Sequence, residues 1–269
     1  MLGIACPVRL CQSVKFLILI AARPLETQQQ YNANSVNMHR LIDLSSIVHK
    51  YQFLTTEQWC NGVLLHHCCN GIKFLTDCSA LEFEALAEIA FRAQVADLAG
   101  TVQSSWLSRL QSGTLPASHA LTVGEKYSWR EFLGKVYYQQ LRKLRSAHLS
   151  GDLRPLDLDG TDFTVEQRYH LLHGFYSISI VWEAFESRRA FEGICPSAPS
   201  HQHSFPKSTG LRNAWDPLGD LASYAKLEHS VTSPIMACQK EISKKTQAMH
   251  DDMVRDMADH FLGPIRIRE

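Results

Sequence analysis

At 269 residues, of which 45% are hydrophobic and 20% charged, the chain is too apolar for general disorder. It is long enough to bury the core of one large domain or two small ones. Lys+Arg and Asp+Glu both number 27, so the formal net charge is zero. The longest basic cluster is Arg142, Lys143 and Arg145, which excludes a charge-driven nucleic-acid footprint.

Apolar residues recur at spacings of three and four along most of the chain, and no strand-like alternation runs beyond four residues. The expected fold class is therefore all-α, with little or no β-sheet. A first helix is expected over Cys11–Ala22. Its apolar run, Phe16 to Ala22, falls well short of the roughly 20 residues a membrane span requires. Arg23-Pro24 behind it makes a poor signal-cleavage site. A polar loop, Glu26–Asn37, leads to a helix over Met38–Tyr51 and a second helix from Glu57 to about Cys68. On the first of these, Leu44, Ile47, Val48 and Tyr51 share the face expected to turn inward. Phe53 then sits at a tight corner, and the next helix carries Trp59 and Val63 inward. Gly71 and Asp77 mark a break.

Ser79 is expected to open a helix with Leu86, Ile89 and Ala90 inward. Val95, Leu98, Val102, Trp106 and Leu110 line the one after it, which Ser112-Gly113 ends. A short helix follows over Ala117–Lys126. Behind it comes a stripe of Phe132, Leu133, Val136, Tyr137, Leu141 and Leu144, with Trp129 at its head. After a turn-rich stretch over 150–160, Thr164 starts a long helix bearing Leu171, Leu172, Phe175, Ile178, Trp182 and Phe185. A Pro-, Ser- and His-rich stretch over 193–210 reads as a loop. Asp216-Pro217 caps a short helix. A final polar helix runs from beyond Pro234 to about Phe261 and ends at Gly263-Pro264. Four pairs have capping-box spacing, namely Thr55/Gln58, Ser79/Glu82, Ser128/Glu131 and Thr164/Gln167.

The chemistry-bearing residues do not assemble into a recognisable centre. Of eight cysteines, Cys60, Cys68, Cys69 and Cys78 lie in or just after one expected helix. Neighbours on a helix diverge by about 100°, which suits no disulfide framework, so reduced thiols inside a cell are expected. Cys195, His201, His203 and a more distant Cys238 offer the ingredients of a zinc site without the paired spacing such sites show. Consecutive His66, His67, Cys68 and Cys69 point around a helix and at most two could hold one ion. No Gly-x-Ser-x-Gly, His-Glu-x-x-His or phosphate-binding glycine loop occurs. The aromatic residues Trp106, Trp129, Tyr137, Tyr138 and Trp182 read as core. No catalytic residue, cofactor or metal is expected, with a metal- or thiol-dependent enzyme built on the Cys195–His203 stretch as the alternative. A fragment without a function of its own is a further one.

The corner residues His49, Lys50, Tyr51, Phe53 and Trp59 resemble the C-terminal helical half of a fungal, basidiomycete-type BTB/POZ domain. The segment Val123 to Tyr138, with Leu133-Gly134 and Tyr137-Tyr138, is similar to the BACK-like helical extension that follows such domains. The helix from Asp251 to Phe261 fits the same group. The resemblance spans about 12–145 and is loose beyond. It implies a partial BTB/POZ-like region at 1–78, truncated ahead of its strands, an extension at 79–149, and a C-terminal helical region at 150–269 with a loop at 193–214. It also implies a fold signature of Leu44, Ile47, Val48, Tyr51, Phe53, Trp59, Trp129, Leu133 and Tyr137. The function implied is protein–protein interaction as an adaptor, with a cullin-type scaffold or transcription factors as partners. No direct nucleic-acid or membrane binding is expected, the setting is cytoplasmic or nuclear, and homodimerisation through the family's usual surface is left open.

Overall fold

The computed structural model describes residues 36–69, 74–147, 162–186, 216–226 and 236–264. All regular structure among them is helical, so the fold class is all-α. The expected helix at Cys11–Ala22, the stretches at 150–160 and 193–210, and the Cys195, His201 and His203 group lie outside the described residues.

The helices are α1 (Met38–Lys50), α2 (Leu54–Cys69), α3 (Phe74–Asp77), α4 (Ala80–Arg92), α5 (Ala96–Gln111), α6 (Ala117–Lys126), α7 (Arg130–Ala147), α8 (Val165–Glu186), α9 (Pro217–Ala225), α10 (Met236–Arg255) and α11 (Met257–Leu262). They group into two compact units that divide between His119 and Ala120, within α6. The boundaries read from the sequence at 78/79 and 149/150 fall inside the first and second unit respectively.

In the first unit α1 packs on α2 and α4, and α5 packs on α2, α3 and α4. Leu41, Val48, Leu64, Phe83, Leu86, Leu98, Val102 and Trp106 are all fully buried. Phe83 and Trp106 stack with ring centroids 5.0 Å apart. The inward face of α1 is Met38, Leu41, Ile42, Ser45 and Val48. It lies roughly 100° around the helix from the expected face of Leu44, Ile47, Val48 and Tyr51, the two sharing Val48, at ~100° per residue. The reason is Ser45. Its hydroxyl meets Asn61 Oδ1 at 3.2 Å and accepts from the Arg92 guanidinium at 3.2 Å. A satisfied polar residue can thus occupy the core. Leu44 and Ile47 are left half-buried.

Tyr51 and Phe53 correct the sequence reading, being 50% and 44% exposed. α1 stops at Lys50, and Gln52 takes a left-handed φ of 59°. Gln52 N–H then donates to His49 O at 3.0 Å, and Phe53 N–H donates to Val48 O at 2.8 Å. This is a Schellman end. It turns the chain before Tyr51 can continue the helical face. Trp59 is half-buried.

Two capping boxes form and two do not. Ser79 and Glu82 exchange backbone and side-chain bonds at the start of α4. Thr164 and Gln167 do the same ahead of α8, each bond 3.2 Å long. Thr55 instead lies inside α2, whose first turn closes on the Phe53 carbonyl. Ser128 has φ 56° and serves the end of α6, where Trp129 N–H reaches Gly124 O at 2.8 Å. The expected helix beyond Pro234 is two helices, α10 and α11, broken at Asp256.

The second unit is built around α7, whose residues Phe132, Leu133, Val136, Tyr137, Tyr138 and Leu141 are buried. α11 packs on both α7 and α8, and α9 packs on α10. Tyr137 stacks on Phe261 at 5.5 Å. Glycine permits this nesting. A Cβ at Gly134 would come 2.7 Å from the Ala258 backbone, and one at Gly174 would come 2.0 Å from the edge of the Phe261 ring. Leu172, expected to face inward, is 48% exposed.

Candidate functional site

The feature that carries furthest is α8. Its buried face is Gln167, Leu171, Gly174, Ile178 and Phe185, at helical spacings of four, three, four and seven. Packing on α7 and α11 consumes this face. A second apolar series runs along the same helix in another phase. Val165 is 84% exposed, Tyr169 64%, Leu172 48%, Tyr176 70% and Ile180 51%. At ~100° per residue these five cluster on the side of the helix opposite the buried face. A helix apolar on two opposite faces is ordinarily buried on both.

The stripe carries no formal charge. Its exposed flanks include Glu166, His173 and Glu183. Tyr169 stacks on His173 with centroids 6.2 Å apart. His173 is itself held by donating from Nδ1 to the His260 carbonyl at 2.7 Å. One of the two tyrosines is therefore braced. Tyrosine suits an interface because it brings a large ring and a polar tip that tolerates water when unoccupied.

The signature residues are not gathered at this face. Val48, Leu133 and Tyr137 are core, Leu44, Ile47, Trp59 and Trp129 are half-buried, and Tyr51 and Phe53 are exposed at the α1–α2 corner. Leu54 is 67% exposed beside them. The sequence reading missed Val165, Tyr169, Tyr176 and Ile180. The signal was present as a second three-and-four series within α8, out of phase with the first.

Polar constellations elsewhere read as structural. The buried Tyr137 hydroxyl lies 3.2 Å from Glu125 Oε1 and 3.2 Å from His170 Nδ1. Burial, then the Glu125 charge, pushes its ionisation far above the usual tyrosine range, so it stays a donor and makes no nucleophile. Gln167 holds both Glu125 oxygens, at 3.1 and 3.0 Å. Ser177 Oγ lies 2.8 Å from His260 Nδ1. Activation as a nucleophile would need a third group to orient the ring. The neighbouring Asp256 and Asp259 bond Arg255 and Arg130 instead. A cavity of about 280 Å³ between α7, α9, α10 and α11 is lined by Tyr138, Arg142, Asp216, Leu218, His250 and Val254 among others. Asp216 is already spent there. It caps α9 through Gly219 N–H at 3.2 Å, accepts from Tyr138 at 2.8 Å and pairs with Arg142 at 2.8 Å.

Cys60, Cys68 and Cys78 are buried free thiols, and Cys69 is exposed. Burial pushes Cys60 and Cys68 up to about 12 and Cys78 up to about 11, which leaves them unreactive. His67 and Cys68 are buried while His66 and Cys69 are exposed, so the four consecutive residues present no common ligand face. Cys238 lies in the first turn of α10. Among the described residues no group of three His, Cys, Asp or Glu side chains is placed to hold a metal ion. Nor is any helix among them long and apolar enough to cross a membrane.

No protein-family model matches the chain, and neither does any curated protein or solved structure.

Proposed function

We propose that this chain is a non-enzymatic helical module that binds other proteins through the outer face of α8. The observation that carries the reading is the unsatisfied apolar stripe centred on Tyr169, Leu172 and Tyr176. Five such side chains expose roughly 600 Å² together, taking aromatic side chains at about 150–250 Å² each. Monomers seldom leave a contiguous patch of that size bare unless it is used. The likeness of the α1–α2 corner to BTB/POZ domains supports an adaptor role, joining a ubiquitin-ligase scaffold or a transcriptional complex. The buried thiols, protonated at neutral pH, support residence in a reducing compartment of the cell, cytoplasm or nucleus.

The test is affinity capture with the full chain and with Tyr169→Asp/Tyr176→Asp, both verified as folded by circular dichroism. The native chain is expected to retain specific proteins that the variant loses. Equal capture by both would remove the α8 face from the function.

A further inference from the structure

We infer that the α8 face pairs with the same face of a second copy of this chain, antiparallel and centred on Leu172; this rests on the reading of α8 as a protein-binding face. The order of residues along the stripe argues for it. Counted from Leu172, the exposed apolar positions stand at −7, −3, 0, +4 and +8, being Val165, Tyr169, Leu172, Tyr176 and Ile180. Reversed end to end, the series nearly maps onto itself, with a β-branched aliphatic at each end, a tyrosine inside each end and leucine at the centre. A surface with that property is self-complementary about a twofold axis, the commonest symmetry of soluble oligomers.

Antiparallel pairing sets Tyr169 on the partner's Tyr176, Val165 on the partner's Ile180, and leucine on leucine at the axis. Offset tyrosine rings at such a contact contribute beyond their buried area. Parallel pairing would set Glu183, which lies in the phase of the stripe, against its own copy, and would align the two helix dipoles. The antiparallel arrangement leaves Asp162 near the partner's Glu183 at each of its two ends, both at the exposed rim where water and salt screen them.

The area also fits. Covering roughly 600 Å² on each copy buries about 1,200 Å² in total, the lower end of specific interfaces. The stripe extends ~22 Å along the helix at 1.5 Å per residue, a length two helices crossing near +20° keep in contact. A dimer that forms in the micromolar range and separates on dilution follows from an interface of this size.

The experiment is sedimentation equilibrium on the full chain, with no partner added, for the native protein, Tyr169→Lys, Tyr176→Glu and an equimolar mixture of the two variants. The native chain is expected to be dimeric at tens of micromolar. Each single variant should weaken self-association at least tenfold, because a charged side chain set on the partner's tyrosine replaces ring stacking at both ends of the pair. The mixture should recover dimers, since antiparallel pairing places the new lysine on the partner's new glutamate while the native tyrosines meet at the other end. A monomeric native chain at those concentrations overturns the inference, as does a dimer that neither variant weakens. Failure of the mixture to recover overturns the antiparallel register. A monomeric native chain whose protein capture still depends on Tyr169 and Tyr176 overturns self-pairing and leaves the broader reading standing. Monomeric behaviour with unchanged capture overturns both.

Discussion

Arg92 Nε on α4 lies 3.2 Å from Glu57 Oε1 on α2, and the same carboxylate oxygen lies 2.9 Å from His49 Nδ1 at the end of α1. Arg92 also donates to the Ser45 carbonyl at 3.3 Å. One guanidinium thereby ties three helices of the first unit together. Because Arg92 and Glu57 are both largely shielded from solvent, the pair is worth more than a surface ion pair. Removing Arg92 leaves the Glu57 carboxylate with His49 alone and takes a donor from the Ser45 carbonyl. Arg92→Met is expected to lower stability by about 1–3 kcal/mol, read as a shift in the urea midpoint. A midpoint unchanged from the native chain would show that the three-helix tie contributes nothing.

Gly134 and Gly174 reverse an ordinary rule. Gly→Ala inside a helix commonly stabilises by about 0.5–1 kcal/mol. At Gly134 the new methyl would meet the Ala258 backbone at 2.7 Å, and at Gly174 it would intrude on Phe261. Both alanine variants are expected to destabilise by ~1–3 kcal/mol through overpacking. Gly62 in α2 and Gly100 in α5 have nothing within 4 Å of the added carbon, so alanine there is expected to stabilise. Thermal melts of the four variants check the sign at each position. Equal behaviour at all four would refute the close approach of α11.

Gln52 and Gln94 hold left-handed φ values of 59° and 53° at the Schellman ends of α1 and α4. Gln94 N–H donates to Phe91 O at 3.2 Å and Val95 N–H to Ala90 O at 3.0 Å, repeating the pattern at Gln52. A side chain with a Cβ is strained there, and glycine is not. Gln52→Gly and Gln94→Gly are each expected to raise stability by about 0.5–1 kcal/mol. A loss of stability on chemical denaturation would mean that the glutamine side chains contribute more than the strain costs.

The buried thiols set an alkaline limit. Cys60, Cys68 and Cys78 ionise at about 12, 12 and 11 when folded, above their ordinary value of 9.0, because burial penalises the thiolate. The unfolded chain therefore loses these protons first as pH rises, and stability falls wherever it does. The thiol contribution is full below pH 9 and is lost as pH rises through 11 and 12. Melting temperature is expected to fall across that window, and less steeply in Cys68→Ala. Peptide-mapped alkylation at pH 8 should label exposed Cys69 and spare Cys60 and Cys68 until the chain unfolds. Labelling of all three at one rate in the folded protein would contradict the burial.

Ser79/Glu82 and Thr164/Gln167 were legible because a capping box is complete within four residues. Thr55/Gln58 and Ser128/Glu131 have the same spacing and cap nothing, because the preceding Schellman turns claim Phe53 and Trp129 first. Ser45 illustrates the harder case. It belongs to the core of α1 only because Asn61 and Arg92, sixteen and forty-seven residues away, satisfy its hydroxyl. The α8 stripe was hidden for a related reason. Two apolar series in one helix blur the contrast that periodicity relies on, and merging them placed Leu172 with the inward set.

By itself the sequence determined that the described chain is helical and placed most of its helices, since apolar period, caps and glycine stops act over three to five residues. Tertiary structure alone decided which face of each helix meets another. It placed Ser45 inside and Tyr51 outside, brought α11 against Gly134 and Gly174, and left Val165 to Ile180 bare. Those outcomes depend on side chains brought together from distant positions, and burial free energy is realised only where a second surface arrives to displace the water.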